Sequence, residues 1–184
     1  MRPSGRTIVA VREGFTVLIS QKMTDAINAQ VGREFGASQQ YVAIATHFGA
    51  ENLPNLAHYF YKQADEERAH AMKFVHHVVE AGGRVVIAAV AAPKDRFASA
   101  EEAVKLSLDW EMEVTKQIYA LVDQAAQEGN HITHHFLQWF VDEQLEEVAT
   151  MEQLLSVVKR AGAQLLLVED YLARTGHPED TGGG

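Results

Sequence analysis

The chain has 184 residues, 47% of them hydrophobic, a length suited to one domain with a sizeable core. It contains no cysteine, which excludes disulfides, thiolate metal sites and a cysteine nucleophile, and fits a reducing cytoplasmic setting. The net charge of -9 disfavours nucleic acid as a general partner and helps to gather cations, and no apolar run approaches the roughly 20 residues needed to span a membrane.

The first residues, "MRPSGRTIVAVREGFTVLIS", set early arginines before apolar residues in the manner of a weak signal peptide. Arg12 and Glu13 interrupt the apolar part, and no small-residue cleavage site follows. Residues 1–17 are therefore expected to be a disordered extension, with the fold beginning near Val17. The tail at 176–184, "GHPEDTGGG", is also expected to be disordered.

Prolines stand only at positions 3, 54, 93 and 178, and the glycines cluster between segments, which leaves long uninterrupted helical stretches. The first is expected from about Leu18 to Phe48. "GAENLPN" then breaks it, with Asn52 as a plausible cap and Pro54 in a first turn. The second runs from about Pro54 to Ala81 and stops at Gly82 and Gly83. "RVVIAAVAAPKDRFAS" is too β-branched and apolar for a solvated loop, so it reads as an extended crossover lying on the bundle. Ser99 with Glu102 forms a capping box for a third helix that reaches Glu128. After the short turn "GNH", a fourth helix runs to about Arg160, Gly162 ends it, and a short fifth covers about Gln164 to Arg174. Short, long and short connections fit an all-α four-helix bundle with one long crossover and a short C-terminal fifth helix.

Steps of three and four pick out the core seam of each helix. The first reads Met23, Ile27, Gln30, Glu34, Ala37, Tyr41, Ile44, Phe48. The second reads Leu56, Phe60, Gln63, Glu67, His70, Phe74, His77. The third reads Val104, Leu108, Glu111, Thr115, Ile118, Val122, and the fourth Phe140, Gln144, Glu147, Met151, Leu154, Val158. Each seam is apolar at its ends and carries an acid near its middle. Within "QADEERAHAMKF", Glu67 and His70 are three residues apart and share a helical face. They are expected to look inward, together with Glu34, Glu111 and Glu147.

A buried unpaired carboxylate costs several kcal/mol. Four in one core would repel one another, take up protons or unfold the bundle. Two divalent cations would balance their charge, and His70 adds a neutral nitrogen donor. Carboxylates with an imidazole suit iron or manganese, with zinc able to compete. A single Glu on a seam is usually a snorkelling surface residue, and a lone E-x-x-H arises by accident. Four acids at matching heights are much harder to dismiss. Tyr41, one heptad after Glu34, is placed either to donate a hydrogen bond or an electron to such ions, or to be an ordinary core tyrosine with a satisfied hydroxyl.

At "NAQVGREFGASQQYVAIATHF", "YKQADEERAHAMKF", "LDWEMEVTKQI" and "FLQWFVDEQLEEVATM" the chain resembles the ferritins, specifically the bacterial non-haem kind, over about residues 18–175. The wider class pairs a lone Glu on two helices with Glu-x-x-His on the other two. Glu34 and Glu111 match the lone acids, and Glu67 with His70 matches one motif. On the fourth helix Gln144 and Glu147 stand where the second motif would have Glu and His, a departure that ferritins share.

The resemblance implies an iron cofactor or substrate, Fe(II) passing to Fe(III), with two ions per ferroxidase centre. One ion would have Glu34, Glu67 and His70. The other would have Glu67 as a bridge with Glu111 and Glu147, an oxygen-only set that should hold ferrous iron weakly. Gln144 would hydrogen-bond a metal-bound water or oxygen species. Glu66, Glu143 and Glu146, beside the seam, would form a third iron site. Bacterioferritins carry a haem-ligating methionine just after the second-helix Glu; Arg68 stands there, so no haem is expected. The partners implied are ferrous iron, dioxygen or peroxide, and copies of the chain in a homo-oligomeric 24-subunit shell. The fifth helix, "QLLLVEDYLARTG", needs a surface, either on its own bundle or on a neighbour. "HITHHFLQW" is histidine-rich where an acidic pore lining would be expected.

The leading expectation is an iron-storage ferritin, a ferroxidase that mineralises iron in a hollow shell. The alternatives are a di-metal redox enzyme of the same fold that keeps its metals, of peroxidase or manganese-catalase type, and a structural bundle without metal.

Overall fold

The computed structural model describes residues 17–176. The disorder expected for 1–17 and 176–184 concerns residues that, apart from Val17 and Gly176, lie outside them. Five helices follow in order: α1 (Gln21–Ala50), α2 (Pro54–Glu80), α3 (Ala100–Gln127), α4 (His131–Ala161) and α5 (Leu166–Thr175). The first four form the bundle, α1 packing along α2 and α3 along α4, and α5 lies against the ends of α2 and α4.

Local chemistry sets the helix ends. Ser20 Oγ accepts from the Met23 N–H at 2.9 Å and caps α1. Helix α1 closes with Leu53 N–H donating to Phe48 C=O and Asn52 N–H to Gly49 C=O. That paired closure requires a left-handed residue, which Asn52 supplies at φ 58°. Asn52 is therefore the C-terminal closure of α1 and not the cap of α2, whose N-cap is Leu53 with no side-chain bond. Pro54 occupies the first turn as expected. Gly129 closes α3 in the same way at φ 63°, and Asn130, the next residue, caps α4 through Thr133 N–H at 3.1 Å. At Ser99 the capping box is half of the expected one. Ser99 Oγ accepts from Glu102 N–H, but the Glu102 carboxylate takes Ala98 N–H and Lys94 Nζ.

The crossover from α2 to α3 runs extended along α1. Two buried amides on α1 bind its backbone in both directions. Asn28 donates to Arg84 C=O and accepts from Val86 N–H; Gln40 donates to Lys94 C=O and accepts from Lys94 N–H. Side-chain amides thus satisfy strand-like backbone where no sheet exists. The crossover lies on the bundle as expected, yet its apolar side chains do not all turn in: Val86 is 55% and Ile87 60% exposed.

All seam residues expected on α1, α2 and α4 are buried. On α3, Val104, Glu111 and Ile118 are buried, while Leu108, Thr115 and Val122 are half-buried. The rest of the α3 core comes from the adjacent row, Ala103, Ser107, Val114, Leu121 and Ala125. The apolar core falls into two clusters. One is built on Phe48, Phe60 and Met151, the other on Ile27, Phe74 and Phe140. The polar centre of every seam falls between them.

Candidate metal centre

Each helix sends polar side chains from its midpoint into this gap. Helix α1 contributes Gln30, Glu34 and Tyr41, one or two turns apart on one face, and α2 contributes Gln63, Glu67 and His70. Helix α3 contributes Glu111, with Thr115 one turn on, and α4 contributes Gln144 and Glu147. Apart from the half-buried Thr115 all are buried, Glu34 and Glu67 each 1% exposed and Glu111 fully enclosed. Among the described residues no lysine or arginine is buried, so the only enclosed group that can offset these acids is a protonated His70.

Two groups of donors converge. Ligand atoms of Glu34, Glu67 and His70 lie within 4.8 Å of one another, and so do those of His70, Glu143 and Glu147. His70 stands between them, its Nδ1 3.7 Å from Glu67 Oε2 and its Nε2 3.5 Å from Glu143 Oε1. The imidazole is braced edge-on by Trp139 and Phe140, with ring centroids at 5.5 and 6.0 Å. Glu111 accepts the Tyr41 hydroxyl, so Tyr41 touches the site and is satisfied by it. Gln144 stands close enough to Glu111 to steady its charged form, and its carbonyl accepts from Thr115 Oγ1 at 2.8 Å. Glu34 Oε1 accepts the Gln30 amide at 2.8 Å. Glu34 Oε2 and Glu111 Oε2 are buried without a hydrogen-bond partner.

The electrostatics follow chiefly from burial, which one imidazole offsets only in part. Desolvation pushes the Glu34 carboxyl above the usual range and Glu111 to about 7. Glu67 and Glu147 are raised further, first by desolvation and then by the Glu111 charge. Burial, helped by Glu111, drives the Tyr41 phenol well up. Burial pulls His70 down, but its bond to Glu143 and the charges of Glu34 and Glu147 outweigh that, and the imidazole is raised. Four acids that resist ionisation around one imidazole are a donor set that could exchange protons for cations.

The remaining expected residues are placed differently. Glu143 is half-buried and joins His70 and Glu147. Glu66 is half-buried and takes the Gln63 amide, and Glu146 is exposed. These three acids do not form one donor cluster. Glu111 stands beside Tyr41 and Gln144 rather than in either group of three. Sequence reasoning missed three site residues. Gln30, Gln63 and Thr115 all appear on the seams, but only as spacers. The signal was available for Gln30, a buried amide one turn before a buried acid.

A bundle with one long crossover, in which all four helices bring a carboxylate to a common buried midpoint beside a histidine, defines the carboxylate-bridging class of four-helix proteins. Within that class the chain belongs to the ferritin family: residues 24–161 match the ferritin-like domain. Ferritin BfrB of Mycobacterium tuberculosis (strain Erdman) is 44% identical over 162 residues, covering 84% of this chain and 90% of that protein. The same relative in strain H37Rv bears the name bacterioferritin BfrB. The bacterial non-heme ferritin of Staphylococcus aureus (strain MRSA252) is 37% identical over 145 residues, 79% of this chain and 87% of that one. Among solved structures, the open-pore ferritin of Archaeoglobus fulgidus superposes with a TM-score of 0.82 at 34% identity, covering 85% of this chain and 98% of that one.

Proposed function

We propose that this protein stores iron and is a ferroxidase. Ferrous ions enter the bundle as substrate and bind in pairs between the four helices. Each loses one electron to dioxygen or peroxide, and the ferric product leaves as an oxyhydroxide mineral held inside a homo-oligomeric shell of 24 subunits. The observation that carries this reading is the enclosed set Glu34, Glu67, Glu111 and Glu147 with His70, beside which no lysine or arginine among the described residues is buried. Divalent cations relieve that imbalance, and a set dominated by oxygen holds ferrous iron loosely enough for it to move on.

In this reading Glu34, Glu67 and His70 hold the first ion, and Glu67, Glu111 and Glu147 the second. Gln144 orients a bound water or oxygen species, and Tyr41 is positioned to give up an electron. Of the acids expected to hold a third ion, Glu143 alone stands with other donors, His70 and Glu147, while Glu66 and Glu146 lie apart from that group. Arg68, exposed on α2, has no thioether to offer, so haem forms no part of the reading. The exposed Val86 and Ile87 fit a surface covered on assembly. A cytoplasmic setting accords with this role.

Size exclusion of the purified protein, with iron and absorbance followed across the peak, tests the reading. A particle of several hundred kilodaltons that oxidises and accumulates iron without a Soret band supports it. His70→Ala should slow initial Fe(II) oxidation about tenfold or more while the particle stays intact. A monomer in which iron oxidises no faster than in buffer ends it. A tightly held stoichiometric metal pair with no mineral would favour the metal-retaining enzyme instead.

A further inference from the structure

Glu34 is held in a way that limits what it can offer a cation. Gln30 lies one turn earlier on the same face and is fully buried. Its amide nitrogen donates to Glu34 Oε1 at 2.8 Å, and its carbonyl accepts from Arg33 Nη1 at 2.9 Å. A guanidinium can only donate and an ionised carboxylate can only accept, so chemistry forces the amide's orientation: oxygen toward Arg33, NH2 toward Glu34. Glu34 Oε2 is left buried without a hydrogen-bond partner, in a side chain whose ligand atom lies within 4.8 Å of those of Glu67 and His70. A carboxylate with both oxygens free can chelate one ion or bridge two. With Oε1 engaged by Gln30, Oε2 is the oxygen that Glu34 has fully free, and chelation through both would compete with that hydrogen bond.

We infer that Gln30, oriented by Arg33, is a positioning residue that holds Glu34 as a one-oxygen terminal ligand and so sets the affinity and coordination number of the first ion. This rests on the divalent-iron reading of the centre. Arg33 is exposed, so the amide connects a surface cation to an enclosed anion without carrying charge into the core. Outer groups that orient a ligand typically change metal affinity or activity about 10–100-fold.

Anaerobic titration of the full-length, assembled protein with Co(II) tests this, because cobalt's visible bands report coordination number directly. Wild type should bind about two ions per chain. Gln30→Met keeps the length but removes both the amide donor to Glu34 and the acceptor of Arg33. It should weaken the first binding step about 10–100-fold, because Glu34 loses its orientation, and change the absorbance per bound cobalt, because the carboxylate no longer presents one fixed oxygen. Arg33→Leu, on the surface, should shift both readouts in the same direction by less. A merely structural role for Gln30 would lower the melting temperature and leave the absorbance per bound cobalt unchanged. Unaltered affinity and bands in both variants overturn the inference, and if Gln30→Met does not fold, Arg33→Leu alone decides. Wild type that binds no cobalt sinks the iron-centre reading and this inference with it; wild type that binds while the variants match it sinks the inference alone.

Discussion

Glu111 couples stability to pH, and, if the centre binds cations as proposed, to them as well. Its side chain is fully enclosed, and burial raises its carboxyl from about 4.5 to about 7. A raised carboxyl favours the fold while it is protonated, so this contribution is complete below the unfolded value near 4.5. It is lost as pH climbs through 7, where the buried charge appears. Metal-free protein should therefore lose stability across that window, by about 3 kcal/mol for this group. Glu111→Gln mimics the protonated form. It should raise the metal-free melting temperature at pH 8, do nothing at pH 4, and abolish part of the stabilisation that added Co(II) gives wild type. Melting curves at both pH values, with and without cobalt, measure this; an equal effect of the variant at the two pH values would contradict it.

At the scale of elements, the connection between α5 and the bundle is the feature that sequence left open. Helix α2 begins at Leu53 without a side-chain cap. Glu169 of α5 supplies one from a distance. Its two oxygens accept Asn55 N–H at 2.8 Å and Leu56 N–H at 2.9 Å, and Asn55 Nδ2 returns a bond to Glu169 C=O at 3.0 Å. A carboxylate on a helix N-terminus satisfies orphan donors and meets the positive end of the helix dipole. The short helix thus has its surface on its own bundle, seating Val168 and Leu172 in the core cluster around Phe48 and Phe60. Glu169→Ala should cost about 1–2 kcal/mol and speed hydrogen exchange at Asn55 and Leu56 before it affects the rest of α2. Denaturant melts and amide exchange would measure both; wild-type protection at those two amides would rule out the cap.

For the whole molecule, the division of the core matters most. Two apolar clusters flank one polar layer, so the bundle is clamped at both ends while its middle is left to the polar side chains. The outer surface adds a second requirement. Val86 and Ile87 project from a crossover that Asn28 and Gln40 fix against α1, so they are presented rigidly. Ile87→Asp should produce small species on size exclusion with unchanged helical circular dichroism. A full-sized particle from that variant would show that the crossover does not take part in assembly.

Much of this was legible in the sequence. The 3.6-residue period, the few prolines, Ser99 and the Gly82–Gly83 stop place the bundle and its long crossover, because local geometry and apolar periodicity act over a turn or two. Steps of three and four likewise put Glu34, Glu67, His70, Glu111 and Glu147 on inward faces. Asn52 was misplaced because the same residue type caps a helix start and closes a helix end, and only the direction of its backbone bonds tells which. The tertiary structure alone decided what those side chains do to each other: that Gln30 claims one oxygen of Glu34, that Tyr41 and Gln144 meet on Glu111, that Glu143 turns to His70 and that Glu169 caps a helix more than a hundred residues away. Such contacts depend on how separate helices are rotated and how far each slides along its neighbour, which no local pattern encodes.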